Sequence, residues 1–286
     1  MNKEKIAILV DSGSDVPKEL VEKYNMYVAP LKIVYQEREY VDGKEITTEE
    51  VLNHLETEIP TTSLPTGETI QNLFNQIKED GYEKVFAVTL SSGLSGTYNS
   101  IRLLAEQQDE LEVFVLDTKN ISIASGFNAI QAAEYIKEGM DWETLITTLS
   151  ENINQSKVYF TVATLDYLRA GGRIGLVASL LGSRLNIRPV ISCNEEGIYY
   201  SVTKVRGRSR SIQKALDLAV SHVGDAEKYN IGVVHAGAEE RADEIREQLI
   251  SKLPNYQILV DGEVSPVLSV HTGPGSIGIV VQKLPS

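Results

Sequence analysis

Four short stretches hold most of the groups with which this chain could bind or transform a ligand: PTTSLPTG (60–67), SSGLSGTY (91–98), LRAGGRIG (168–175) and HTGPGSIG (271–278). They offer hydroxyls and glycine N–H groups, and the last adds an imidazole. Donors of this kind on a loop between a strand and a helix suit an anion, because they sit beside the positive end of the helix dipole. One such loop is ordinary turn chemistry. Four in one chain shift the reading towards a binding site. Reaction chemistry is less well served. A nucleophile elbow needs G-x-S-x-G, whereas the order here is Gly93-Leu94-Ser95-Gly96-Thr97, with the second glycine one place early. A general base must come from His54, His222, His235 or His271. The first two fall in helical patterns, and the last two follow strand patterns. A hydrolase using Ser95 with His271 stays open as the alternative to a binding protein and requires the two to meet across a domain interface.

Other motifs exclude more than they suggest. GPGSIG (273–278) matches G-x-G-x-x-G, but only eight residues follow it and they read as a strand, so it lacks the helix and acidic residue of a dinucleotide site. It reads instead as a strand–turn–strand connection. No G-x-x-x-x-G-K-[ST] occurs, and no Cys/His spacing argues for zinc, so neither a cofactor nor a metal is expected. Asp11 and Asp15 in DSGSD could face a cation, but a strand end and a helix cap explain both. A lone Cys193 rules out an internal disulfide and fits a cytoplasmic address. The apolar run Ile6–Val10 is too short for a signal peptide or membrane span. The net charge of −13 argues against a nucleic-acid partner. It is unevenly spread: residues 159–215 carry nine basic and three acidic side chains, a balance of +6 against −19 elsewhere. Such a stretch is either a solvated face paired with the acidic surplus or a docking patch for an acidic partner.

The elements that must position these loops follow from periodicity. KIAILVD, VAPLKIVY, KVFAVTL and EVFVLDT read as strands alternating with helices such as ETIQNLFNQIKEDGY, with Ser14 and Asp15 as N-cap candidates for the first helix. Strands and helices in alternation imply a parallel sheet covered on both sides, with ligands at the carboxyl ends of its strands. Beyond residue 157, RPVISCNEEGIYYSVTKVRG reads as two strands joined at Glu195–Gly197, and QILVDGEVSPVLSVHTGPGSIGIVVQKL as terminal strands. The expected fold is therefore α/β in two domains, a three-layer parallel-sheet domain over 1–157 and a mixed-sheet α+β domain over 158–286.

DSGSDVP, TTSLPT, SSGLSGTY, LDYLRAGGRIG, RPV with KVRGRSRS, and HTGPGSIG stand in an order and spacing that resemble the DegV family over nearly the whole chain. The resemblance implies a noncatalytic protein that holds one long-chain fatty acid, of the palmitate kind, between two domains. It also implies a possible role as substrate-presenting subunit for a separate ATP-binding fatty acid kinase subunit that makes an acyl phosphate. Without such a partner, lipid storage or transport would remain. By motif, Thr62 and Ser95 would donate to the carboxylate, helped by the Gly96 N–H, with His271 completing the site and Ser63 and Thr272 as second-rank candidates. Arg173, Arg206, Arg208 and Arg210 resemble the family's basic surface for kinase docking, although Ala170 stands where a basic residue is common in the family. The leucines and isoleucines of GLVASLLGSRLNI (175–187) are candidates for the tail tunnel or for the core.

Overall fold

In a computed structural model, which describes residues 2–180 and 187–285, the first apolar run forms β1 (Ile6–Asp11), buried along its whole length. It is followed by α1 (Lys18–Lys23), β2 (Tyr27–Ala29), β3 (Lys32–Val34), β4 (Glu39–Val41), α2 (Thr48–His54), β5 (Thr61–Ser63) and α3 (Gly67–Glu79). Then come β6 (Lys84–Thr89), α4 (Thr97–Ala105), β7 (Glu112–Asp117), α5 (Ile123–Glu138) and α6 (Trp142–Glu151). The second half holds β8 (Ser156–Thr161), α7 (Asp166–Ala170), β9 (Ile187–Cys193), β10 (Tyr199–Arg206) and α8 (Arg208–Val223). It ends with β11 (Tyr229–Ala236), α9 (Glu239–Lys252), β12 (Leu259–Glu263), α10 (Pro266–Thr272) and β13 (Ser276–Lys283).

The first sheet, in the order β2-β1-β6-β7, is parallel throughout. Its strands are apolar on both faces because both are covered. Ala7, Leu9, Val85 and Ala87 meet Ile70, Phe74 and Ile77, which recur one turn apart along α3. Ile8, Val10, Phe86 and Val88 face the opposite way, towards α5. That helix is buried on nearly every side of its first three turns, since it also packs on β8 and β13 of the second sheet. The second sheet runs β10-β9-β8-β13-β11-β12 and is antiparallel except for β11 with β12. Its far face is closed by α8 and α9 through residues such as Leu216, Ile245 and Leu249. A parallel-sheet domain and a mixed-sheet domain thus share one central helix layer.

Local departures from the sequence reading have identifiable causes. Pro30 divides VAPLKIVY, sending β2 to the parallel sheet and β3 to a small antiparallel sheet, β4-β3-β5. Residues 61–63, read as loop, form the third strand of that sheet. The last stretch is not all strand: α10 starts on Pro266, a residue suited to a first helical position, so GPGSIG joins a helix to a strand and His271 lies on a helix. Ser14 and Asp15 do not cap α1, whose N-cap is Pro17 with no side-chain bond. Ser14 is drawn into the 3-10 turn Ser12–Ser14, where its Oγ donates to Asp11 at 3.0 Å. Asp15 accepts from the Ser122 Oγ at 2.5 Å and the Ser265 N–H at 3.1 Å. The latter bond, the Val267 N–H on Asp42 at 2.9 Å and the Thr48 hydroxyl on the Val264 carbonyl at 2.7 Å lock the start of α10 onto the N-terminal half.

Candidate functional site

Between the sheets lies a cavity of about 230 Å³. One end is lined by Thr62 and Ser63 from β5, Ser95 and Gly96 from the turn between β6 and α4, and His271 and Thr272 from the end of α10. Three segments distant in sequence converge because β5 is paired to β3, β3 packs beneath α10, and α10 is held by Asp15 and Asp42. Most of the rest of the wall is apolar, with Leu90, Leu94, Phe160, Val234, Val267 and Leu268 among its side chains and Ser122, Ser276 and the Tyr199 ring as polar interruptions.

The hydrogen bonding at the polar end leaves donors free for a guest. The His271 Nε2 and Thr62 Oγ1 are 2.8 Å apart. The His271 Nδ1 is buried without a partner among the described residues. A buried orphan N–H is rarer than an orphan lone pair, which assigns the proton to Nε2. His271 then donates to Thr62, and the Thr62 hydroxyl hydrogen is available to an acceptor in the cavity. The Ser95 Oγ accepts from the Thr97 N–H at 3.2 Å and lies 2.9 Å from the Thr97 hydroxyl. Thr97 is fully buried with no other side-chain partner among the described residues, so it donates and the Ser95 hydrogen is also left over. The Gly96 N–H, at the start of α4, is not taken up by any backbone carbonyl among the described residues. Two hydroxyls and a helix-start N–H therefore surround a space suited to an acceptor with negative charge.

Electrostatics favour the same guest. Burial pushes the His271 imidazole down to about 4, with the Arg173 guanidinium adding to the shift, so the ring is neutral at physiological pH. Arg173, expected on a basic surface near the pocket mouth, lines this end of the cavity, its Nη1 donating to the Gly171 carbonyl at 2.7 Å and its Nε to the Leu94 carbonyl at 3.2 Å. It carries positive charge into this polar end without a carboxylate partner among the described residues. As a general base His271 is poorly tuned for neutral pH, and no described residue orients its Nδ1. Its hydroxyl partner is Thr62; Ser95 is bonded to Thr97. The Ser95–His271 pair required by a hydrolase is not formed.

Outside the cavity, Arg206, Arg208 and Arg210 are exposed around the start of α8, with the Arg208 Nη2 on the Gly275 carbonyl at 2.7 Å. No ion pair among the described residues involves Arg169, Arg173, Arg188, Lys204 or these three, so the acidic surplus does not neutralise the basic stretch. Of GLVASLLGSRLNI, residues 181–186 lie outside the described residues. None of the others lines the cavity; Leu176 is exposed and Val177 is buried in the core. Sequence reasoning missed the apolar wall of the cavity, including Phe160 of β8 and Val234 of β11. A single signal existed, the glycine of SIGIVV at position 278, since a glycine inside a strand marks close approach of something else. Among the described residues no group of three or more His, Cys, Asp or Glu could hold a metal, and no helix is long and apolar enough to cross a membrane.

Comparison with known proteins adds three findings. Residues 5–284 match the model of a family described as "Uncharacterised protein, DegV family". A DegV domain-containing protein of Clostridium acetobutylicum is 40% identical over 281 residues, covering 98% of this chain and 99% of the relative. Among solved structures, a DegV family protein of Thermus thermophilus described for its fatty acid binding superposes with a TM-score of 0.91 at 28% identity, covering 99% of this chain and all of that one. A stearic acid-binding protein of Eubacterium ventriosum gives 0.87 at 27%, covering 97% and 98%.

Proposed function

This chain belongs to the DegV family, and from that premise we propose that it binds one long-chain fatty acid in the cavity between its sheets. The carboxylate sits among Thr62, Ser95, the Gly96 N–H and His271, with Ser63 and Thr272 at its edge, and the tail runs along the apolar wall. The observation that carries this reading is the division of the cavity into a donor-rich end with spare hydrogens and a largely apolar remaining wall. Each buried methylene is worth about 0.8 kcal/mol, so the tail dominates affinity and the head group fixes orientation. Fatty-acid-binding relatives of the same fold support the ligand class.

The finer part of the reading is that the acid is presented to a separate ATP-binding kinase subunit. Gly96 and Leu64 are exposed at the head end, where an incoming phosphoryl group would have to reach the carboxylate. Arg206, Arg208 and Arg210 offer unpaired positive charge for an acidic partner and its phosphates. Arg173 serves the carboxylate in this reading, and docking rests on the other three.

Intact mass under native and then denaturing conditions tests the ligand. A noncovalent mass equal to one fatty acid, or its uptake on addition, supports the reading; no uptake of any added acid sends the question back to an enzyme. For docking, replacing Arg206 and Arg208 by Glu should abolish acyl-phosphate formation with a partner kinase and leave bound acid unchanged. Equal rates would remove these arginines from the interface.

A further inference from the structure

On β13 alternate residues face opposite sides of the mixed sheet. Ile279 and Val281 pack against the α8 and α9 side, whereas Val280 joins the cluster on the cavity side, and Gly278 shares its face. The strand register sets Gly278 directly between Phe160 of β8 and Val234 of β11, and all three line the cavity. The glycine therefore leaves a bare point between two side chains of the cavity floor.

Backbone geometry does not ask for a glycine there. Gly278 is not among the residues with positive φ, and a Cβ at this position would meet only side chains: the Val234 Cγ2 at 3.0 Å, the Phe160 Cβ at 3.7 Å and the Val158 Cγ2 at 3.7 Å. The tightest of these is the tip of a valine rather than a backbone atom. A glycine inside a central strand weakens it and commonly marks a place where a ligand comes close. What the missing side chain supplies here is room.

We propose that Gly278 is a specificity-determining residue that sets how long an acyl tail the cavity admits. The inference rests on the fatty-acid reading above and adds to it the residue that measures the tail. A methyl at this point would project from the floor between Phe160 and Val234, where a long tail must pass, and would leave the head group at Thr62 and His271 untouched.

The experiment measures dissociation constants of the wild type, Gly278→Ala and Gly278→Val for saturated acids from decanoic to octadecanoic. The expected result is decanoic acid binding unchanged by Gly278→Ala to within about twofold, with octadecanoic acid weakened by about fourfold for each methylene excluded. Gly278→Val should move the preferred length further down. Adding Val234→Ala to Gly278→Ala returns space on the same floor and should restore the long acids. Equal weakening at every length, or no weakening, would overturn the proposal. If Gly278→Ala fails to fold, Val234→Ile crowds the same spot from the neighbouring strand and must show the same length-dependent loss or the proposal fails. Wild-type protein that binds none of the acids would instead overturn the fatty-acid reading itself.

Discussion

The head end and the floor of the cavity are made by different kinds of structure. The head end is assembled from a short strand, a turn and the last residues of a short helix, each supplying hydroxyls or N–H groups. The floor is a sheet face on which Val158, Phe160, Gly278 and Val234 stand in fixed register. In the proposed reading, specific hydrogen bonds govern the first and shape governs the second. One should therefore respond to the loss of single atoms with a change in carboxylate retention, and the other to added volume with a change in tail preference.

The contrast is tested most severely at Gly171, in the turn after α7. A Cβ there would lie 2.0 Å from the His271 Nδ1, so Gly171→Ala must push the imbedded ring off Thr62. Fatty-acid affinity should fall by about 100-fold while overpacking costs about 1–3 kcal/mol of stability. The nitrogen chemical shifts of His271 would report the displaced ring directly. Thr62→Val keeps the shape and removes only the hydroxyl; losing one hydrogen bond to a charged group should weaken binding about 10-fold or somewhat more, equally for short and long acids. A length-dependent loss for either variant would erase the distinction between head and floor.

Legibility follows the same division. Thr62, Ser95, Gly96 and His271 stand in compact motifs whose residue types already speak for anion binding, and the structure gathers them at one cavity end. The parallel sheet was legible because its strands are uniform apolar runs between amphipathic helices. The wall was not. Phe160 and Val234 belong to strands that look like any core strand, and only pairing across β13 brings them to one face. The stretch 175–187 was apolar enough to suggest a tunnel, yet its described residues are spent on the core or the surface. α10 was read as strand because Val267, Leu268 and Val270 have strand character; burial against α2 and β3, with Asp15 and Asp42 holding its first N–H groups, overrides that preference.

α10 also carries the smallest expected effect, because groups of opposite pH response sit at its two ends. At its start, burial raises Asp15 to about 7 and Asp42 to about 6, and nearby Asp11 to about 7. The native state holds these protons where the unfolded chain has lost them, so their contribution to stability is complete below the ordinary carboxylate range and disappears as pH rises through 6 to 7. At its end His271 is lowered to about 4, so the unfolded chain takes up a proton that the native protein refuses, and stability is lost as pH falls from 6.5 towards 4. Ligand-free protein should therefore gain urea resistance as pH falls below about 7 and go on gaining towards 4, because three carboxyls take up protons against a single imidazole that opposes them. His271→Gln removes the opposing response, and its advantage over the wild type should grow by on the order of 1 kcal/mol between pH 7.5 and 5.5. Parallel stability curves for the two proteins would mean that His271 takes up its proton as readily in the native state as in the unfolded chain, and the imidazolium would then carry a second proton on Nδ1 with no described residue to receive it.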